Sequence, residues 1–293
     1  MKRNLLSMSL MLASLFGAAQ PLLAQEPAQV RAISASTSIP DPAAQIRAAA
    51  NLLRNNDLMG LLRTMVPPSQ LQLLRQGYEE GRSQPITDED RAEFEEAIAK
   101  FTAPDAVERL MQEIEPKLVE ARPQAPGAIM MGLGALQMAL SSPDAELTEE
   151  QRAALRQAMP GLQRWLTSTD FLSSLSMRQA LTLVTDAIRG TGLDSIDELR
   201  MLSLEEALAQ AGSVLASAKQ AVRIYGLDLD AIADTLAVEV LAIEGDTARV
   251  RTTITVFDAP ISKEVELVLV EGRWYGKDAV KHFDFNIDHH SDS

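Results

Sequence analysis

The chain has 293 residues, a formal charge of −14 and no cysteine. Without thiols it has no catalytic cysteine, disulfide framework or zinc–thiolate site, and no attachment point for an N-terminal lipid anchor. The acidic balance opposes phosphate backbones and anionic lipid, whose binding needs clustered Lys and Arg to release counterions, so no nucleic-acid partner is expected. Hydrophobic residues make up 46% of the chain and aromatics only 4%, so a core of this size must be built from Leu, Ala, Ile, Val and Met.

Residues 1–24 follow the order that an export signal requires. Lys2 and Arg3 give a positive start, Leu5 to Phe16 form an apolar run broken only by small residues, and Pro21-Leu22-Leu23-Ala24 ends on a small residue before Gln25. Cleavage is predicted between Ala24 and Gln25. It removes the two bases Lys2 and Arg3 and no acid, so the formal charge of −14 becomes −16. The predicted location is the periplasm or the medium of a Gram-negative-type bacterium, with no stable membrane anchor. Residues 25–42, rich in Ala, Ser, Pro and Gln, read as a flexible leader.

Helical signals fill residues 43–234. Ile46, Ala49, Leu52 and Leu53 keep a helical spacing until Asn55-Asn56-Asp57 interrupts it, and Pro67-Pro68-Ser69 restarts a helix after Leu58 to Val66. Capping-box patterns mark helix starts at Thr87 with Asp90, Thr148 with Gln151, Ser195 with Glu198 and Ser203 with Glu206. The acids Asp88, Glu89, Asp90, Glu93, Glu95 and Glu96 fill the first turns of one such helix, where negative charge favours the N-terminal dipole. Gly127 to Leu140, uncharged and holding Met130, Met131 and Met138, reads as a core helix whose glycines permit close packing. It is too short to span a membrane. The alternatives for its methionines are a copper(I) site or an adaptable peptide-binding face.

Beyond Asp234 the period becomes alternating, with turn residues at Gly245-Asp246 and Glu271-Gly272. The predicted strands are Leu236–Glu244, Thr247–Phe257, Lys263–Val270 and Arg273–Lys277, with Val250, Ile254, Leu267 and Leu269 on the apolar face and Arg249, Arg251 and Glu266 on the other. The fold class is therefore α+β: a mostly helical body packed on a C-terminal antiparallel β-meander of three to four strands, residues 235–285, followed by a disordered tail at 286–293.

Catalytic signatures are missing: the sequence has no G-x-S-x-G, S-x-x-K, Walker loop, H-E-x-x-H or G-x-G-x-x-G. The three histidines, His282, His289 and His290, all lie at the C-terminus with Asp284 and Asp288, and they read as part of a polar tail rather than a metal site. Asp228 to Glu239 imitates a calcium loop. Ile232 and Ala233 stand where a ligand and a glycine are needed, so a capped helix leading into a strand is predicted instead. No catalytic, cofactor-binding or metal-ligating residue is assigned, and no cofactor is expected.

Two stretches resemble the nuclear transport factor two superfamily, the cystatin-like group that includes ketosteroid isomerase. One is the helix pair Ile46–Asn55 and Asn56-Asp57-Leu58-Met59-Gly60-Leu61-Leu62 with Pro67-Pro68. The other is Glu244-Gly245-Asp246-Thr247-Ala248-Arg249-Val250 with Val270-Glu271-Gly272-Arg273-Trp274-Tyr275. The resemblance implies a curved sheet wrapped around helices, often with a pocket between them, and a binding or accessory role without catalysis. No acid or tyrosine matches a family active-site motif. The functional expectation is an exported protein that binds a protein segment or an apolar small molecule. The alternatives are a carboxylate-using hydrolase or isomerase and an envelope chaperone.

Overall fold

The computed structural model describes residues 40–142 and 147–282. The export signal, its cleavage point at Ala24 and Gln25, the leader up to residue 39, His289, His290 and the C-terminal tail lie outside the described residues, as does the side chain of His282. The helices are α1 (Pro42–Arg54), α2 (Leu58–Met65), α3 (Pro68–Ser83), α4 (Asp88–Thr102), α5 (Ala106–Ala121), α6 (Ala125–Ser141), α7 (Glu149–Ser168), α8 (Ser174–Gly190), α9 (Ile196–Met201), α10 (Leu204–Ile224) and α11 (Leu229–Asp234). Strands β1 (Ala237–Glu244), β2 (Thr247–Val256), β3 (Ala259–Val270) and β4 (Arg273–Gly276) follow, and α12 (Lys277–His282) turns back against β3 and β4. The α+β expectation holds: a helical body precedes an antiparallel meander of order β1-β2-β3-β4.

All four predicted capping boxes form, at the starts of α4, α7, α9 and α10. In α10 the Ser203 hydroxyl accepts from the Glu206 amide at 3.2 Å while the Glu206 carboxylate accepts from the Ser203 amide at 2.7 Å. Each box satisfies amide donors that a helix start leaves without intrahelical partners. The acids Asp88, Glu89 and Asp90 occupy the first turn of α4, as predicted.

The sheet buries the expected face. Ala248, Val250, Leu267 and Trp274 form one core cluster, with Ile46 of α1 packed against it together with Val238, Val265 and Leu269. Register explains the grouping, because Val250 pairs with Val265 and Ala248 with Leu267, and cross-strand partners share a face. On the other face Arg249 stands opposite Glu266, and both are exposed. Arg251 is half-buried between Glu239 at 3.3 Å and Glu264 at 2.8 Å. The edge strand β4 is fastened to α1 by a side chain: the Gln45 amide accepts from Trp274 N at 3.0 Å and donates to the Trp274 carbonyl. It thereby imitates a neighbouring strand.

β1 and β2 each lose one predicted end residue, and Lys277, predicted to end the last strand, begins α12 instead; the largest difference is in β3. β3 begins at Ala259 rather than Lys263, because Phe257 and Asp258 close a two-residue turn with φ of 52° and 64°. Such turns favour Asn and Gly, and Pro260 reads as a strand breaker, so the sequence pattern points to a longer loop. Tertiary contacts from α7 hold the turn in the left-handed region. Trp165 packs on the Phe257 ring at 5.4 Å, Arg164 pairs with Asp258 at 2.8 Å, and Gly161 backs onto the Phe257 backbone.

Candidate functional site

Among the described residues no helix is long and apolar enough to cross a membrane, and no three His, Asp or Glu side chains converge to hold a metal ion. Two cavities are candidate sites. A shallow one of about 270 Å³ lies over the β1–β2 end of the sheet, lined by Glu244, Arg249, Glu266 and Lys277. The larger, about 470 Å³, lies among α8, α10 and the residues before and within α11, lined by Asn56, Lys219, Arg223, Asp228 and Asp230 among others. Both have mixed polar and apolar linings, and neither is the apolar pocket between helices and sheet that the sequence suggested.

The larger cavity is built for support. Lys219, with a side chain only 10% exposed, donates to Leu53 O at 2.9 Å, Arg54 O at 3.1 Å and Asp230 Oδ1 at 2.6 Å. Its ammonium thereby satisfies carbonyls at the C-terminus of α1, where the helix dipole favours a cation. Asp228 caps α11 by accepting from Asp230 N and Ala231 N, and it pairs with Arg223 at 2.6 Å. The Arg223 hydrogen bond, then the Ala231 amide, hold the Asp228 carboxyl below the usual aspartate range. Glu205, Glu206 and Asp90 are likewise held low by hydrogen bonds from backbone amides and neighbouring side chains. A general acid needs the opposite shift, so none of these carboxylates is arranged for proton transfer at neutral pH. Asp228 and Glu239, the ends of the calcium-loop look-alike, are a helix cap and a strand residue paired with Arg251, in line with the capped-helix reading.

The unusual surface is α6. From Pro123 to Ser142 the sequence carries no charged side chain, the longest such run among the described residues. The helix starts with Pro126 in its first turn and packs on α7. Its C-terminal end is held there by Arg152, 6% exposed, which donates to Leu140 O and Ser142 O at 2.8 Å, and by Arg156, which reaches Leu140 O at 3.3 Å. Leu133 and Leu140 are buried beneath it, and Ile129 and Leu136 are half-buried. These four recur at helical spacing and account for the apolar packing of α6.

The opposite face is apolar as well. Met130, Met131 and Met138 are 59%, 76% and 75% exposed, and Gly127, Ala128, Gly132, Gly134, Ala135 and Ala139 are exposed beside them. This corrects the expectation of a core helix with glycines at close contacts: a Cβ added at Gly127, Gly132 or Gly134 would meet nothing within 4 Å. Periodicity failed to separate the two cases because α6 is apolar all round, and an all-apolar helix ordinarily signals burial on every side. The cue that was present is the missing bulk: glycine and alanine on the face away from the leucines. The chain matches no family model, no curated protein and no solved structure with which it was compared.

Proposed function

We propose that this chain is an exported bacterial protein of the periplasm or medium with a non-catalytic binding or accessory role, and that the outer face of α6 is its contact surface for an apolar protein segment. The observation that carries the reading is the exposure of Met130, Met131 and Met138 on a helix without charge, in a chain whose formal charge is −14. Unbranched methionine side chains adapt to varied apolar shapes, and glycines between them leave room for a partner backbone. Arg152 and Arg156 fix the end of the helix, so the face is presented on a held element. Export rests on the order of charge, apolar run and small residues in positions 1–24. Kinship with the nuclear transport factor two superfamily belongs to the same proposal. It is supported by the packing together of the two stretches that carry the resemblance, where Ile46 lies against the cluster that holds Ala248, Val250 and Trp274.

Two measurements test this reading. Intact mass of protein from the producing cell should show a chain beginning at Gln25 or Glu26, and a product retaining Met1 would refute export. A neutral amphipathic helical peptide of Leu and Gln should bind the purified protein and bind the double variant Met131→Asp, Met138→Asp more weakly. Equal binding to both would refute the α6 assignment.

A further inference from the structure

Resting on the reading of α6 as a contact surface, we infer that the occupant of its outer face is a second copy of this chain, bound about a two-fold axis between Met131 and Gly134. Charge argues for this first. Two copies of formal charge −14 repel one another, and α6, inside an uncharged run from Pro123 to Ser142, lets them meet without apposing like charges along the helix. A strongly cationic partner would gain nothing on α6 itself, which offers it no carboxylate.

Shape argues second. Gly127, Met131, Gly134 and Met138 recur at intervals of three and four and so lie along one stripe of the helix. Antiparallel pairing about an axis midway between Met131 and Gly134 sets each Met131 against the partner's Gly134 and lets the backbones approach. Each Met138 then faces the partner's Gly127. Bulk meets hollow on both sides, the self-complementarity that a two-fold interface requires.

Area sets the strength. A helix of 17 residues is about 26 Å long, and one such face buries less than the roughly 800 Å² per partner of a standard stable interface. The dimer is therefore weak and concentration-dependent, and monomers and dimers exchange.

Sedimentation of the purified protein over a concentration series, together with cysteine cross-linking, tests the inference. The natural chain contains no thiol, so any introduced cysteine reports alone. Average mass should rise toward that of a dimer with concentration. Met131→Asp should weaken association about tenfold or more by placing two charges in the contact, whereas Met201→Asp, on the 80% exposed Met201 of α9, should not. Gly134→Cys should oxidise to a disulfide-linked dimer faster than Met201→Cys. A chain that stays monomeric throughout, or that dimerises equally with Met131→Asp and cross-links equally at both cysteines, would overturn the inference. A monomer that still binds the Leu and Gln peptide at α6 removes the second copy as occupant and leaves the proposed function standing. A chain that does neither removes both.

Discussion

At the scale of single residues, the junction between α1 and α2 shows how side chains far apart in sequence fix a turn. Asn56 takes a φ of 59°, and its carbonyl lies against Gly212 of α10 so closely that a Cβ there would sit 2.3 Å from the oxygen. Gly212→Ala should therefore destabilise the protein by about 1–3 kcal/mol. Gly134→Ala, on the open face of α6, should stabilise it by about 0.5–1 kcal/mol through helix propensity alone. Urea unfolding of the two variants checks the opposite signs. Lys219 closes the same junction from the other side. Lys219→Ala leaves the last carbonyls of α1 and the Asp230 carboxylate without their cation, for an expected loss of about 2–4 kcal/mol in the same assay. None of this is legible beforehand. The break at Asn55-Asn56-Asp57 is visible as a turn signal, but a glycine inside a helical period and a lysine on a helix carry no mark of what they will touch.

At the scale of elements, local chemistry was readable and tertiary override was not. Helix starts at Thr87, Thr148, Ser195 and Ser203 are dictated by residues three apart, so the sequence holds all the information needed. Alternation placed Val250 in the core and Arg249 in water for the same reason. Val250→Asp, at a site with 0% exposure, should cost about 4 kcal/mol or more, while Thr253→Asp on the opposite face should be mild; melting temperatures of the two variants decide. The Phe257-Asp258 turn escaped because its conformation is held by Trp165, Arg164 and Gly161 of α7, about a hundred residues earlier in the chain. Helix caps also set a pH dependence. Asp90, Glu206 and Asp228 have folded-state carboxyls below their ordinary values of 3.8, 4.5 and 3.8. A depressed carboxyl contributes stability that is present above its unfolded pKa and lost as pH falls through the folded one. Thermal stability should accordingly decline as pH drops below about 4.5, and Asp90→Asn with Glu206→Gln should shallow that decline. An unchanged acid limb in the double variant would contradict the assignment.

At the scale of the whole molecule, the formal charge of −14 and the uncharged α6 together motivate the proposed contact face. Composition gave the formal charge, and the lack of charge along α6 was visible too. Which side of α6 met the body was not, since Leu133 and Met131 are equally apolar on paper. Only the packing of α6 on α7 separates the buried leucines from the exposed methionines. The direct measurement is the methyl spectrum of ¹³C-labelled methionine during titration with the Leu and Gln peptide, at a protein concentration where the chain is monomeric. The account predicts that the resonances of Met130, Met131 and Met138 shift with added peptide while those of the buried Met59 and Met111 stay in place. Shifts at the buried methionines without any at the α6 three, or no shift anywhere, would contradict it.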